Sequence, residues 1–329
     1  MPRRWLRGGH VQTVASFLFR RSLQLPEPEA RMIEVAPGVR VLCHCHWQAD
    51  RAGALTLIVV HGLEGSSESQ YMLGTAAKAL RAGMNVIRYN QRNCGGTEGV
   101  APVLYHSGLS SDIAAVAREV IAQDGVERLA LVGFSMGGNL VLKLAGEWGR
   151  QPPTQLKAVA ACCPALDLAA SADALHTPSN RIYETYFLLA LRRRMRQKAL
   201  LFPGHFDNRR LKGIRSLREF DDKVTAHYCG FADVDDYYDR ASASHVVGEI
   251  SVPTLILCAA NDPFVRITPS TRQKIHTNPN ITFVEVEDGG HCAFIGVPNG
   301  KGGADTDEAE SQDDGYWAET EIVKCLSRF

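Results

Sequence analysis

Six short runs of aliphatic and β-branched residues, with amphipathic stretches between most of them, constrain the fold of this chain more than any other feature. They are Leu55 to Val60, Met84 to Tyr89, Leu129 to Phe134, Lys157 to Cys162, Thr254 to Ala259 and Ile281 to Val286. They read as strands buried between helices in a parallel sheet. Two further runs, Met32 to Ala36 and Val39 to His46, flank Pro37-Gly38 and predict an opening hairpin. Eight strands, mostly parallel, with helices on both faces follow. Among the helices, Asp112 to Gln123 places Ile113, Val116, Ala117, Val120 and Ile121 on one face, and Ser110 or Ser111 is positioned to cap it.

The sixth and seventh runs are separated by about ninety residues, from Pro164 to Pro253, far more than one crossover helix requires. The spacing predicts a helical cap inserted between strands six and seven. It should hold a long helix over Arg181 to Leu201 and an acidic, aromatic segment from Phe231 to Arg240. The domain layout is an N-terminal arm over 1–30, a core over 31–164 and 253–329, and the cap over 165–252. Near the end, Asn299 to Asp314 is Gly-rich with six acids from Asp305 to Asp314, a surface-loop composition, and Tyr316 to Phe329 reads as a closing helix.

Charge excludes some partners. Lys plus Arg (36) equals Asp plus Glu (36), so no overall field favours nucleic acid or an anionic membrane, and a small molecule is the expected partner. Nine cysteines without scaffold spacing in 329 residues point to reduced thiols and a cytoplasmic location. Arg3, Arg4 and Arg7 before an apolar run mimic a secretion signal. That run, Val14 to Phe19, is short and is followed by Arg20 and Arg21 where small residues would be needed for cleavage. No stretch reaches the ~18 apolar residues of a membrane span, so no stable insertion is expected. Oligomeric state is not legible.

The sharpest local signal is Gly133-Phe134-Ser135-Met136-Gly137-Gly138, directly after the run Leu129 to Phe134 and before the helical stretch Asn139 to Trp148. A G-x-S-x-G turn between strand and helix is so tight that flanking side chains would collide, and glycine has none. It would hold the Ser135 hydroxyl at a helix N-terminus, where backbone N–H groups favour negative charge. A serine hydroxyl needs a base to become a nucleophile. The chain order expected for such an elbow is Ser, then an acid after the seventh strand, then His after the eighth. Asp262, in Asn261-Asp262-Pro263, and His291, in Gly289-Gly290-His291, occupy those positions. Asp167, after the sixth strand, and Asp288, three residues before His291, are rival acids. The plain reading of Asp167 is a helix cap. The oxyanion hole would be built from the N–H of Met136 and of Leu63, in the His61-Gly62-Leu63-Glu64-Gly65 loop, with His61 bracing that loop.

Together with these motifs, Gly9-His10-Val11-Gln12-Thr13 and Asn90-Gln91-Arg92-Asn93-Cys94-Gly95-Gly96 make the chain resemble the YheT-like branch of the α/β hydrolases, AB hydrolase family 4. The resemblance covers nearly the whole chain. It implies the α/β-hydrolase fold and a carboxylic ester hydrolase, with short-chain esters in microbial members and lipid or acylglycerol cleavage in larger eukaryotic relatives. Eukaryotic relatives tend to carry an N-terminal membrane anchor, and this chain looks more like the soluble bacterial type. The acidic stretch 299–314 departs from the family pattern.

Ser135, His291 and Asp262 are therefore expected to act as nucleophile, base and orienting acid in two-step acyl transfer, with no metal or organic cofactor. Acyl transfer to an alcohol, lipase action and a non-catalytic binding protein of the same fold are the rival functions. Cys43-His44-Cys45-His46 offers metal-ligand types, but strand alternation sends the cysteines to one face and the histidines to the other. Arg192, Arg193, Arg194, Arg196 and Lys198 could attract acidic lipid headgroups through the cap. A solvated helix face is the simpler reading. Cys94-Gly95-Gly96 lacks the lysine of a phosphate loop and reads as a loop near the active site.

Overall fold

A computed structural model describes residues 6–19, 21–297 and 314–329. Most of the loop expected over Asn299 to Asp314 lies outside the described residues. The sheet has eight strands: β1 (Glu29–Ala36), β2 (Val39–His46), β3 (Thr56–Val60), β4 (Asn85–Tyr89), β5 (Leu129–Phe134), β6 (Leu156–Cys162), β7 (Thr254–Ala259) and β8 (Ile281–Val286). Their order is β1-β2-β4-β3-β5-β6-β7-β8. β1 and β2 pair antiparallel, β2 pairs antiparallel with β4, and every later pairing is parallel.

The helices in chain order are α1 (Gly9–Leu18), α2 (Gln70–Arg81), α3 (Ser110–Asp124), α4 (Met136–Trp148), α5 (Leu168–Leu175), α6 (Arg181–Leu201), α7 (Leu217–Phe220), α8 (His227–Cys229), α9 (Val234–Ala241), α10 (Pro269–Thr277) and α11 (Trp317–Leu326). A π-helical turn, Asp221–Ala226, joins α7 to α8. The two-residue period of the strands divides the core. Ile58 and Val60 of β3 join Ile113, Val116 and Val120 of α3 and Leu140 and Leu144 of α4 on one face. Leu57 and Val59 join Met72 and Ala76 of α2 and Ile322 and Leu326 of α11 on the other. β3 to β7 are buried on both faces, which explains why their runs do not alternate in polarity; β8, expected to be buried, lies at the sheet edge and is only half-buried, with Thr282 and Glu285 exposed.

The segment between β6 and β7 carries α5 to α9 and forms the helical cap, with its own apolar cluster around Tyr183, Leu188, Leu191, Met195, Phe220 and Val224. That cluster includes Phe264 and Val265 from the loop after β7, which fastens the cap over the sheet's C-terminal edge. Two sequence expectations are corrected. The residue preceding α3 is Leu109, and Ser110, already in the first turn, donates its hydroxyl to Glu147 rather than capping the helix. The basic cluster of α6 is not one solvated face. Lys198 is wholly buried, donating to Asn93 Oδ1 and Glu98 O at 2.9 Å each, and Arg194 pairs with Glu64 at 2.9 Å. Arg193 and Arg196 alone of the five are exposed. No helix among the described residues is long and apolar enough to cross a membrane.

Candidate active site

Parallel β5, β7 and β8 end at the same edge of the sheet, and the loops that follow them bring three side chains together. Ser135 stands between β5 and α4 with φ 55° and ψ −120°, a backbone state that a non-glycine residue holds only when its surroundings force it. Here they do. A Cβ at Gly133 would lie 2.2 Å from the Gly137 carbonyl oxygen, and one at Gly137 would lie 2.3 Å from the Val60 carbonyl oxygen. The turn closes only with glycine at both places.

His291 Nε2 lies 2.9 Å from Ser135 Oγ, and His291 Nδ1 lies 2.7 Å from Asp262 Oδ2. The other oxygen of Asp262 accepts the backbone N–H groups of Phe264 (3.0 Å) and Val265 (2.9 Å), which fixes the carboxylate. Burial alone would lower the His291 pKa. The adjacent Asp262 charge and its hydrogen bond outweigh that, and the imidazole sits above its ordinary range.

The rival acids are placed elsewhere. Asp167 precedes α5 but its carboxylate accepts from Thr268 N (2.9 Å), Thr268 Oγ1 and Thr271 Oγ1, so it braces the start of α10. Asp288 accepts from Gly8 N and, at 2.7 Å, from Asn261 Nδ2. Neither is bonded to the histidine.

The loop after β3 passes beside the serine. A Cβ on Gly62 would lie 3.0 Å from that of Ser135, so only glycine lets the loop come this close. Among the described residues, no protein acceptor receives the backbone N–H of Leu63 or Met136. His61 is buried and its pKa is pushed down to about 4 by burial; its neutral ring bridges Gly62 O (2.8 Å) and Gln91 N (3.1 Å). Glu64 takes up a left-handed φ of 55°, where Arg194 of the cap helix grips its carboxylate and Tyr105 bonds both its backbone and its side chain. The cap is thus tied to the residue following Leu63.

The N-terminal Gly9-His10-Val11-Gln12-Thr13 segment has a role that its sequence did not disclose. Thr13 Oγ1 accepts the His291 N–H at 2.8 Å and donates to Gly9 O. Gln12, fully buried, bonds both the N–H (2.8 Å) and the carbonyl (2.9 Å) of Ile295. His10 stacks on Tyr183 of α6. A Cβ on Gly9 would overlap the Asn261 carbonyl, and one on Gly290 would lie 2.6 Å from Gly9 O. Helix α1 therefore locks the histidine loop from behind. The available signal was one glycine and the polar residues His10, Gln12, Thr13 and Ser16 among the apolar residues of α1, which shows unusual packing but not the partner.

Two cavities meet at Ser135. One, about 760 Å³ with its mouth included, runs under the cap and is lined mainly by apolar side chains, among them Leu63, Leu168, Leu175, Leu191 and Phe264. The other, about 1060 Å³, touches His291 and is more polar, with Arg21, Glu68 and Glu319 in its walls. For metals, Cys162, Cys163 and Cys292 bring their sulfurs within 4.8 Å of one another, and Cys163, Asp262 and His291 form a second such group. Cys43 to His46 does not. Cys43 and Cys45 lie in the core, whereas His44 and His46 approach Ser67 and Arg88.

The alpha/beta hydrolase fold family model matches residues 56–297. The chain is 32% identical to "Putative esterase YheT" of Escherichia coli (strain K12), covering 90% of this chain and 87% of that protein. It is 28% identical to phospholipase ABHD3 of Mus musculus over 76% of its own length but spans only 60% of that relative. Among solved structures, the Pyrococcus furiosus esterase Pf2001 superposes with a TM-score of 0.57 at 14% identity, covering 94% of this chain and 98% of that one. Est1E from Butyrivibrio proteoclasticus gives 0.55 at 17% identity, covering 90% and 96%. These two likenesses speak to the fold alone. The family match over most of the length and the 32% identity with YheT establish that this chain belongs to the alpha/beta hydrolase fold family, in its YheT-like branch.

Proposed function

We propose that this chain is a serine hydrolase of carboxylic esters. The observation that carries the reading is the hydrogen-bonded line from Ser135 Oγ through His291 to Asp262, at 2.9 and 2.7 Å, at a glycine-enforced elbow. Ser135 attacks the ester carbonyl carbon while His291 Nε2 takes its proton, and the N–H groups of Leu63 and Met136 stabilise the oxyanion. His291 then returns the proton to the leaving alcohol, producing an acyl-Ser135 ester. Water, deprotonated by the same nitrogen, releases the acid. Asp262 keeps the proton on Nδ1 and stabilises the imidazolium. Each N–H in the hole is worth about 3 kcal/mol in the transition state. No step calls on a metal or organic cofactor.

The two cavities divide the substrate. The general acid must stand beside the departing oxygen, so the alcohol occupies the cavity that touches His291 and the acyl group occupies the apolar cavity under the cap. The apolar lining and the phospholipase among the relatives favour, as a second reading, lipase-like action on longer acyl esters. The test is turnover of p-nitrophenyl esters from acetate to palmitate. Wild type hydrolyses members of the series and Ser135→Ala falls to the background rate. Undiminished turnover by Ser135→Ala contradicts the proposal, and the preferred chain length separates the two readings.

A further inference from the structure

The acyl cavity is apolar along most of its wall, yet it also carries a single carboxylate, Asp221. Asp221 opens the π-helical turn between α7 and α8. Such turns widen a helix by one residue and cluster at functional sites. Its Oδ1 accepts the Thr225 hydroxyl at 2.7 Å, and its Oδ2 accepts the Tyr238 hydroxyl of α9 at 2.8 Å. Thr225, Tyr237 and Tyr238 line the same cavity.

Nothing positive answers this carboxylate. Among the described residues no arginine, lysine or histidine forms an ion pair with it. Burial pushes its pKa up to about 6, and only the two hydroxyl bonds act in the other direction. Arg218, whose guanidinium lies 5.4 Å from the Tyr238 ring centroid, is paired with Asp173 and Asp235 instead. His106, also in the wall, is held neutral, its pKa pushed down to about 4 by burial. Asp221 is only partly exposed, so its charge is incompletely hydrated and has no counter-charge beside it. Both oxygens already have hydrogen-bond donors, so what the site lacks is charge. The side left open is the cavity itself. Tyrosine rings beside it supply the kind of surface that also accepts a cation.

We propose that Asp221 recognises a positive charge on the acyl group, so that the preferred esters carry an amine or quaternary ammonium at a distance from the carbonyl. The inference rests on the serine-hydrolase reading and on the acyl group entering this cavity. An ammonium arriving there makes a charge-assisted contact that a plain alkyl chain cannot make. Asp221 is then a specificity residue: it touches the substrate away from the reacting atoms.

The experiment compares p-nitrophenyl esters of ω-trimethylammonio-alkanoic acids with their tert-butyl-ended isosteres, which differ only in replacing the charged nitrogen by carbon. At the chain length that reaches Asp221, wild type should favour the cationic ester in kcat/KM by roughly tenfold. Asp221→Asn should abolish that preference while retaining turnover of the neutral ester. Competitive inhibition of wild type by alkyltrimethylammonium ions, set against the same isosteric pairing, gives the comparison without a variant, should Asp221→Asn fail to fold. A wild type that turns over the neutral ester at least as fast at every length overturns the subsite but leaves the hydrolase reading intact. An unchanged preference in a folded Asp221→Asn does the same. Failure to turn over either ester, with no reaction of Ser135 toward a fluorophosphonate, overturns the hydrolase reading and the subsite with it.

Discussion

The rim of the sheet and the cap above it contribute to one cavity, but the sequence encodes them in different ways. At the rim, each chemical group sits at a fixed offset from a strand end: Ser135 one residue after β5, Asp262 three after β7 and His291 five after β8. Parallel pairing brings those ends into line, so local sequence carries nearly all the positional information. The cap has no such frame. Its helices are placed by contacts with residues about a hundred positions away, such as Arg194 with Glu64 and Lys198 with Asn93. One region is specified by topology and the other by packing.

That difference orders the expected effects. Asp262→Asn should lower kcat/KM by roughly ten-thousand-fold, because the imidazole loses both its tautomer and its counter-charge. In the proposed mechanism the histidine serves as base only when neutral, so activity should fall as pH drops through its pKa. Asp262 holds that pKa above its ordinary value, and its loss should therefore shift the acid limb of the pH profile of the residual activity downward. Asp167→Asn, which disturbs only the start of α10, should leave most of the activity. The reverse pattern in paired pH–rate profiles would move the acid to β6 and break the rim's simple geometry.

The cap tie is the smaller effect. Glu64 has only 6% of its side chain exposed and Arg194 14%, so Arg194→Gln strands a buried carboxylate. The cost should be about 3 kcal/mol of stability. The Glu64→Gln/Arg194→Gln double variant should recover part of it, measured by urea unfolding. Because Glu64 adjoins Leu63, turnover should also fall, but by far less than in Asp262→Asn. A single variant as stable as wild type would show that the cap is held by its apolar cluster alone.

How far the chain could be read follows the same division. Four strands, Val39–His46, Leu129–Phe134, Thr254–Ala259 and Ile281–Val286, have the ends that the hydrophobic runs predict. β1 begins at Glu29, earlier than the run from Met32, because its edge position tolerates polar residues: Glu29 accepts the Trp47 indole N–H and Arg31 pairs with Asp124. The long cap helix Arg181–Leu201 was also legible from its length and composition. Which way it faces was not. Five basic residues within seven positions resemble a solvated face, and only the distant acceptors Glu64, Asn93, Glu98 and Ala101 turn Arg194 and Lys198 inward. Thr13 illustrates the same limit at the other end: its partner, the His291 N–H, is 278 residues away. The π-helical turn that presents Asp221 leaves no periodic trace in six residues.

The most direct test of the central claim is to treat the protein with a fluorophosphonate and locate the adduct by peptide mass mapping. The account predicts a single adduct on Ser135, absent in Ser135→Ala and slowed by orders of magnitude in His291→Gln, which keeps the fold but removes the base. An adduct on another residue, or labelling of Ser135 that proceeds at the wild-type rate without His291, would contradict it.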